Sequence, residues 1–163
     1  MNDFEKIGFG GGCHWCTEAV FQSLKGVIKV KQGYIASTGD AIAMNEAVIV
    51  YFNPKEIEIK NLIEVHLHTH SSTVLHSFRK KYRSAIYFFT EVQKKDCIYW
   101  LEFFQKDFSD KIITQILPFS EFKSSRESIQ DYFRKNPEAP FCKTYILPKL
   151  EKINNLPSQF KNG

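Results

Sequence analysis

The chain has no long apolar run, no large excess of charge and few cysteines. Its 163 residues carry 22 basic and 18 acidic side chains, so the formal net charge is only +4 and nucleic acid is not an expected partner. No segment approaches the length of a membrane span, and the N-terminus lacks the charged and apolar stretches of a signal peptide. We therefore expect a cytoplasmic, monomeric protein without membrane contacts.

The cysteines are few, and two of them form a Cys-x-x-Cys pair, Cys13 and Cys16; the others are Cys97 and Cys142. Cytoplasmic thiols are reduced at rest, which argues against a disulfide framework and for redox or metal chemistry. One such pair without a second is weak evidence for zinc. The pair therefore favours redox-active thiols, and we expect neither a metal nor a bound cofactor.

Three histidines lie close together at positions 66, 68 and 70. On a helix His66 and His70 share one face, whereas His68 lies on the opposite side. The spacing therefore does not favour a metal site made of these three side chains.

Cys13 follows three consecutive glycines, residues 10–12. Residues 7–10 predict a short strand and residues 15–24 a helix, which places Cys13 at a helix N-terminus. Unpaired N–H groups and the positive end of the helix dipole favour a thiolate there. Cys13 is therefore predicted to be a nucleophile rather than a buried structural cysteine.

Strand and helix patterns alternate along the rest of the chain. Strands are predicted at 27–34, 47–52, 83–89 and 112–117, and helices at 59–68, 91–108 and 125–134. The order predicts one α+β domain over residues 1–163, a two-layer split-βαβ (ferredoxin-like) sandwich with helices packed on a sheet.

Two further features concern packing. Three prolines, at 137, 140 and 148, predict an irregular C-terminal tail over residues 137–163. The helix at 91–108 carries an aromatic stripe that we expect to be core: Tyr99, Trp100, Phe103 and Phe104.

A series of motifs in a fixed order resembles a known family. The segment Gly-Gly-Cys-His-Trp begins at residue 11, Glu46 precedes an apolar strand that ends in Asn53-Pro54, and residues 82–87 read Tyr-Arg-Ser-Ala-Ile-Tyr. His70 and the segments Pro-Phe-Cys and Pro-Lys-Leu within residues 140–150 follow the same order. From about residue 6 to 153 the chain resembles the A-type peptide methionine sulfoxide reductases.

The resemblance implies thiol-dependent reduction of methionine S-sulfoxide, free or in proteins. It implies that Cys13 attacks the sulfoxide sulfur and becomes a sulfenic acid, while Glu46 protonates the departing oxygen and Tyr82 donates a hydrogen bond to it. Trp15 is implied to line the pocket for the substrate methyl group. A disulfide would follow and be reduced by a thioredoxin-like partner, without a bound cofactor.

Three departures mark a divergent branch of the family. His14 stands where the family has Phe, so a titratable ring would line the methyl pocket. The loop between Tyr34 and Glu46 is short and lacks one of the family's tyrosines, for which Tyr34 is the candidate replacement. Two family aspartates correspond to Ser71 and Ser77.

Two cysteines are candidates to resolve the sulfenic acid. Cys16 is close to Cys13 in sequence, and Cys142 corresponds to the family's resolving cysteine in the tail. We expect Cys13–Cys16 to form first and Cys142 to relay the oxidation outward. The alternative functions are another Cys-x-x-Cys oxidoreductase or redox sensor, and an impaired homologue that only binds methionine sulfoxide.

Overall fold

A computed structural model describes residues 4–11, 14–70, 83–125, 132–136, 138–140 and 142–154. Its strands are β1 Glu5–Gly10, β2 Val27–Ala36, β3 Asn45–Phe52, β4 Ala85–Phe88, β5 Gln115–Pro118 and β6 Glu121–Ser124. Its α-helices are α1 His14–Gln22, α2 Ile59–Thr69, α3 Glu91–Phe104, α4 Tyr132–Lys135 and α5 Leu147–Asn154. Short 3₁₀ turns cover Gly39–Ala41 and Gln105–Asp107, and a π-helical turn covers Cys142–Ile146.

The strands form one mixed sheet in the order β5-β4-β1-β3-β2-β6. Neighbouring strands are antiparallel except β4 and β5, which are parallel. Strands and helices therefore share one chain in the mixed α+β arrangement expected from the sequence.

Alternation along β1 and β3 puts one set of side chains against the helices. Phe9 and Val48 belong to the same buried cluster as residues of α1, α2 and α3, whereas Ala47 and Ile49 belong to a second cluster on the other face. Phe9 stacks on Phe21 of α1 with ring centroids 4.7 Å apart. The three long helices thus pack on one face of the sheet.

Polar contacts fix α1 and the opposite face. Gln32 of β2 donates a hydrogen bond to Glu18 of α1 at 2.9 Å, with both residues buried. On the other face, the Arg83 guanidinium donates to the hydroxyl of Tyr87 at 3.1 Å and to two backbone carbonyls. Burial raises the pKa of Tyr87, and Arg83 lowers it by less. Gln32, Glu18, Arg83 and Tyr87 thus satisfy one another or backbone carbonyls where they are buried.

The tail prediction is wrong for residues 142–154, which are helical rather than irregular. Pro148 is the second residue of α5, and a proline in the first turn of a helix costs little. Ile146 is fully buried against Cys16 and Ala19 of α1, with Leu150 packed against the same cluster. Burial of this apolar side chain holds the segment on α1.

Several predicted boundaries also differ from the structure. The predicted helix 91–108 ends at Phe104, because Gln105 accepts a hydrogen bond from Ile112 N–H and donates to Asp110 O, which turns the chain. The strand predicted at 112–117 covers Gln115–Pro118. The strand β6 was not predicted, since it has one apolar residue and forms by pairing with β2.

The helix predicted at 125–134 is limited to Tyr132–Lys135 in the part of the chain that the structure describes, and Ser125 lies outside any helix. The aromatic stripe on α3 is only partly core. Phe104 is buried, but Tyr99 is 61% exposed. Within the described ranges, no helix has the length and apolar character needed to span a membrane.

Candidate active site

The turn between β1 and α1 is built on Gly11, whose φ of +144° lies in the region that favours glycine. A Cβ at this position would lie 2.6 Å from Cδ2 of His70. Both conformation and space therefore require glycine here. α1 begins at His14, and Cys13 lies between the two, outside the described residues.

Two histidines at the C-terminal end of α2 support this turn, His66 within the helix and His70 directly after its last residue. His66 Nε2 lies 2.7 Å from the carbonyl oxygen of Gly10, so it carries a proton and donates. The rings of His66 and His70 stack with centroids 4.1 Å apart. His70 donates from Nδ1 to the carbonyl of His66, which leaves Nε2 to accept from Ser84 Oγ at 2.8 Å. The end of β1 is thus held by a hydrogen-bonded histidine pair.

Glu46 lies beside the same turn. It is the second residue of β3 and is 6% exposed. Gly10 pairs with Ala47, and Glu46 pairs with Tyr34 of β2. Since Val48 faces the helices, alternation places the Glu46 side chain on the helix side, with Tyr34 directly opposite it.

The segment that follows Tyr82 contacts both the end of β1 and the start of β3. Tyr82 lies outside the described residues, but Arg83 donates its backbone N–H to Asn45 Oδ1 at 2.8 Å. The Arg83 carbonyl also lies 3.1 Å from the position of a Cβ on Gly10. Glu46 and the residues that adjoin Cys13 and Tyr82 in the chain therefore lie together at one end of the sheet.

The first turn of α1 carries the remaining candidates. Trp15 is half-buried, and Cys16 is 5% exposed. A small pocket is lined by Gly11, Cys16, Thr17, Val20, His66, Thr69, His70 and Lys149. The structure describes only the backbone of His14 and Cys142, and Cys142 begins the π-helical turn that precedes Ile146. Cys16 therefore lies between the glycine turn and the C-terminal segment.

A sequence model of the family described as peptide methionine sulfoxide reductase matches residues 5–161. The chain belongs to this family.

The relatives cover nearly the whole chain. The peptide methionine sulfoxide reductase MsrA of Sulfolobus acidocaldarius is 32% identical over 170 residues, 95% of this chain and 97% of that relative. Solved structures share the fold. Reduced Mxr1 of Saccharomyces cerevisiae has a TM-score of 0.75 at 24% identity, covering 88% of this chain and 91% of that chain. Mxr1 in complex with Trx2 has a TM-score of 0.63 at 24% identity, covering 77% and 83%.

This peptide methionine sulfoxide reductase is an enzyme that reduces methionine sulfoxide with thiols. That activity agrees with the resemblance seen in the sequence. The residues alone also allow a different Cys-x-x-Cys enzyme or a homologue that only binds methionine sulfoxide, and the family match favours the reductase over both.

Two residues of the reductase's pocket were not assigned a role from sequence. The sequence pattern bears on His66 only as a metal ligand and on Lys149 only as part of the Pro-Lys-Leu motif. Lys149 donates to the carbonyl of Thr69 at the C-terminal end of α2, where a cation is favourable. The i, i+4 spacing of His66 and His70 was the available signal, because it places both rings on one helix face.

Cys97 of the reductase lies apart from this site, fully buried in the main helix-facing core. Burial, with a smaller contribution from Asp96, raises the pKa of its thiol from 9.0 to about 12. It is therefore protonated near neutral pH and is not a nucleophile.

Proposed function

We propose that the enzyme reduces the S epimer of methionine sulfoxide, free or in proteins, by attack of the Cys13 thiolate on the sulfoxide sulfur. Glu46 gives a proton to the departing oxygen, and Tyr82 donates a hydrogen bond to it. The protonated oxygen then moves as hydroxide from the substrate sulfur to the Cys13 sulfur, and the bond formed between the two sulfurs breaks. The products are the thioether of methionine, which is reduced by two electrons, and a Cys13 sulfenic acid, which is oxidised by two.

One observation carries this assignment. Glu46 and the chain neighbours of Cys13 and Tyr82 meet where β1 ends and β3 begins, although the three residues are far apart in sequence. A nucleophile, an acid and a hydrogen-bond donor brought to one place are the groups that sulfoxide reduction needs.

Residues beside Glu46 and in the first turn of α1 are proposed to bind the substrate side chain. Tyr34 lies opposite Glu46 and supplies a second hydroxyl near the sulfoxide oxygen. Trp15, half-buried in the first turn of α1, forms a wall for the methyl group together with His14. A histidine in this wall makes methyl binding weaker when the ring is charged, because a charged group favours water.

Turnover of epimeric dabsyl methionine sulfoxide with dithiothreitol tests the nucleophile. We expect Cys13→Ser to abolish reduction of the S epimer while circular dichroism stays unchanged. Cys97→Ala is the matched control, since its thiol is buried away from the site, and it should retain turnover. Turnover near wild type in Cys13→Ser would remove the basis of the proposal.

Glu46→Gln tests the proton donor. The amide keeps a hydrogen-bond donor but transfers no proton, so kcat should fall by about two to four powers of ten. Glu121→Gln, an exposed carboxylate of β6, is the control and should leave kcat unchanged. An unchanged kcat in Glu46→Gln would assign the proton to another donor.

The resolving step is proposed to start at Cys16. Its thiol attacks the Cys13 sulfenic acid, a disulfide forms, and the thiol proton leaves with the hydroxide as water. Cys142 then attacks Cys16, which frees the Cys13 thiolate and moves the disulfide outward. The position of Cys16 between Gly11 and the segment that begins at Cys142 supports this order.

Peptide mapping after reaction with stoichiometric methionine sulfoxide, with free thiols alkylated in acid, tests the order. We expect Cys13–Cys16 in the Cys142→Ser variant and Cys16–Cys142 in the wild type. If the wild type contains only Cys13–Cys142 and Cys16→Ser turns over normally, Cys16 is a packing residue of α1.

A thioredoxin-like dithiol is the proposed reductant. Support comes from Mxr1, which shares this fold and was solved in complex with Trx2. Coupled oxidation of NADPH by thioredoxin reductase, thioredoxin and this enzyme should require methionine sulfoxide. Turnover supported only by a glutaredoxin system would replace thioredoxin in the scheme.

The finer fold assignment is a split-βαβ core. The order β4-β1-β3-β2 with antiparallel neighbours supports it, because each half has the form strand, helix, strand. A single domain over 1–163, the monomeric state and the cytoplasmic location stay predictions from sequence.

A further inference from the structure

A second cluster of ligating side chains lies on α2, away from the thiol pocket. Glu64 and His68 are four residues apart and so share a helix face. Asp107 ends the 3₁₀ turn after α3 and approaches this face, with its Oδ2 3.1 Å from His68 Nε2. One ligand atom from each of the three residues lies within 4.8 Å of the others.

Glu64 is the unusual member of this cluster. It is 1% exposed, and its buried Oε1 has no hydrogen-bond partner among the residues that the structure describes. A buried carboxylate oxygen without a partner is costly and needs an explanation such as an ion. A carboxylate oxygen of Glu64 lies within 4.8 Å of a ligand atom of His68 and of Asp107, so the buried carboxylate faces the other two side chains.

The other two ligands are ordered and accessible. The His68 ring stacks on Phe108 with centroids 4.7 Å apart, which fixes its direction. The side chains of His68 and Asp107 are 20% and 21% exposed, so the cluster opens to solvent on one side. An ion could enter there and keep water ligands.

We propose that Glu64, His68 and Asp107 bind one divalent transition-metal ion. One imidazole nitrogen and two carboxylate oxygens suit Zn²⁺ or Mn²⁺, with water completing the coordination. The ion satisfies the buried oxygen of Glu64 and links α2 to the turn after α3. The site is distinct from the redox pocket, because His66 and His70, which line that pocket, contact Gly10 and Ser84 instead.

Titration of the metal-stripped, dithiothreitol-free reduced chain with Mn²⁺ tests the proposal, because Mn²⁺ prefers oxygen and nitrogen to thiolate. Calorimetry should give one ion per chain, and the melting temperature should rise with its concentration. Glu64→Gln and His68→Ala should each weaken binding by about tenfold or more. Asp110→Asn, an acid outside the cluster, is the matched control and should bind as wild type.

A second readout locates the ion without any variant. Paramagnetic Mn²⁺ should broaden the ring-proton signals of His68 at lower concentration than those of His66 and His70. Absence of binding by the wild type, binding that Glu64→Gln leaves intact, or first broadening at His66 or His70 would each overturn the proposal. Zn²⁺ binding lost in Cys16→Ser but retained in Glu64→Gln would likewise assign the ion to the redox thiols.

Discussion

At the scale of the residue, the site depends most on Gly11. Its positive φ allows the chain to leave β1 and start α1 within a few residues, and its lack of a side chain lets the His70 ring approach. The glycine run predicted a turn here. The contact with His70, which leaves no space for a side chain at residue 11, could not be predicted, since His70 follows a helix almost sixty residues later.

Gly11→Ala should lower the free energy of unfolding by about 1–3 kcal/mol, because strain at positive φ adds to the contact with His70. Gly39→Ala is a matched control. It also has positive φ, at +61°, but a Cβ there meets no atom of the described part of the chain within 4 Å. Urea denaturation of both variants measures the difference, and equal losses would show that the histidine contact contributes nothing.

At the scale of the element, the C-terminal segment decides the surroundings of Cys16. The prolines predict an irregular segment over residues 137–163, but α5 accommodates Pro148 in its first turn. The buried side chain of Ile146 then holds the segment against α1. The positions of the prolines do not predict this contact, because Ile146 packs against residues of α1, which are distant in sequence.

Ile146→Ala should loosen the segment, since loss of buried apolar volume weakens its attachment to α1. We expect alkylation of Cys16 to become faster and amide exchange in residues 142–154 to increase. Leu147→Ala is the control, because Leu147 is 37% exposed. Similar alkylation rates in both variants would mean that Ile146 does not protect Cys16.

At the scale of the whole molecule, the main core is formed by the helix-facing side of the sheet and the three long helices. Cys97 of α3 is buried in it, and burial raises the pKa of its thiol to about 12. The folded protein therefore keeps this proton when the unfolded chain has lost it. Stability from this group is complete below the unfolded pKa and falls as pH rises towards the folded pKa.

The free energy of unfolding should therefore fall more steeply with pH in the wild type than in Cys97→Ala above about pH 9. The expected difference is about 1 kcal/mol per pH unit. Urea denaturation in dithiothreitol at a series of pH values measures it. Parallel curves for the two proteins would show that the Cys97 thiol ionises equally in both states.

The sequence by itself determined the local features and the family. Local patterns of neighbouring residues predict the strand β3, the helix α2 and the glycine turn before Cys13. The order of motifs along the chain identified a peptide methionine sulfoxide reductase. The short strand β6 had no such pattern, because backbone pairing with β2 forms it.

The tertiary structure alone decided which distant residues meet. Three contacts join residues of different elements. His70 contacts Gly11, Ile146 packs against Cys16, and Asp107 lies near Glu64 and His68. A local pattern predicts which face of an element is buried but not what lies opposite it. Packing of the elements supplies that partner, and with it the chemistry of each site.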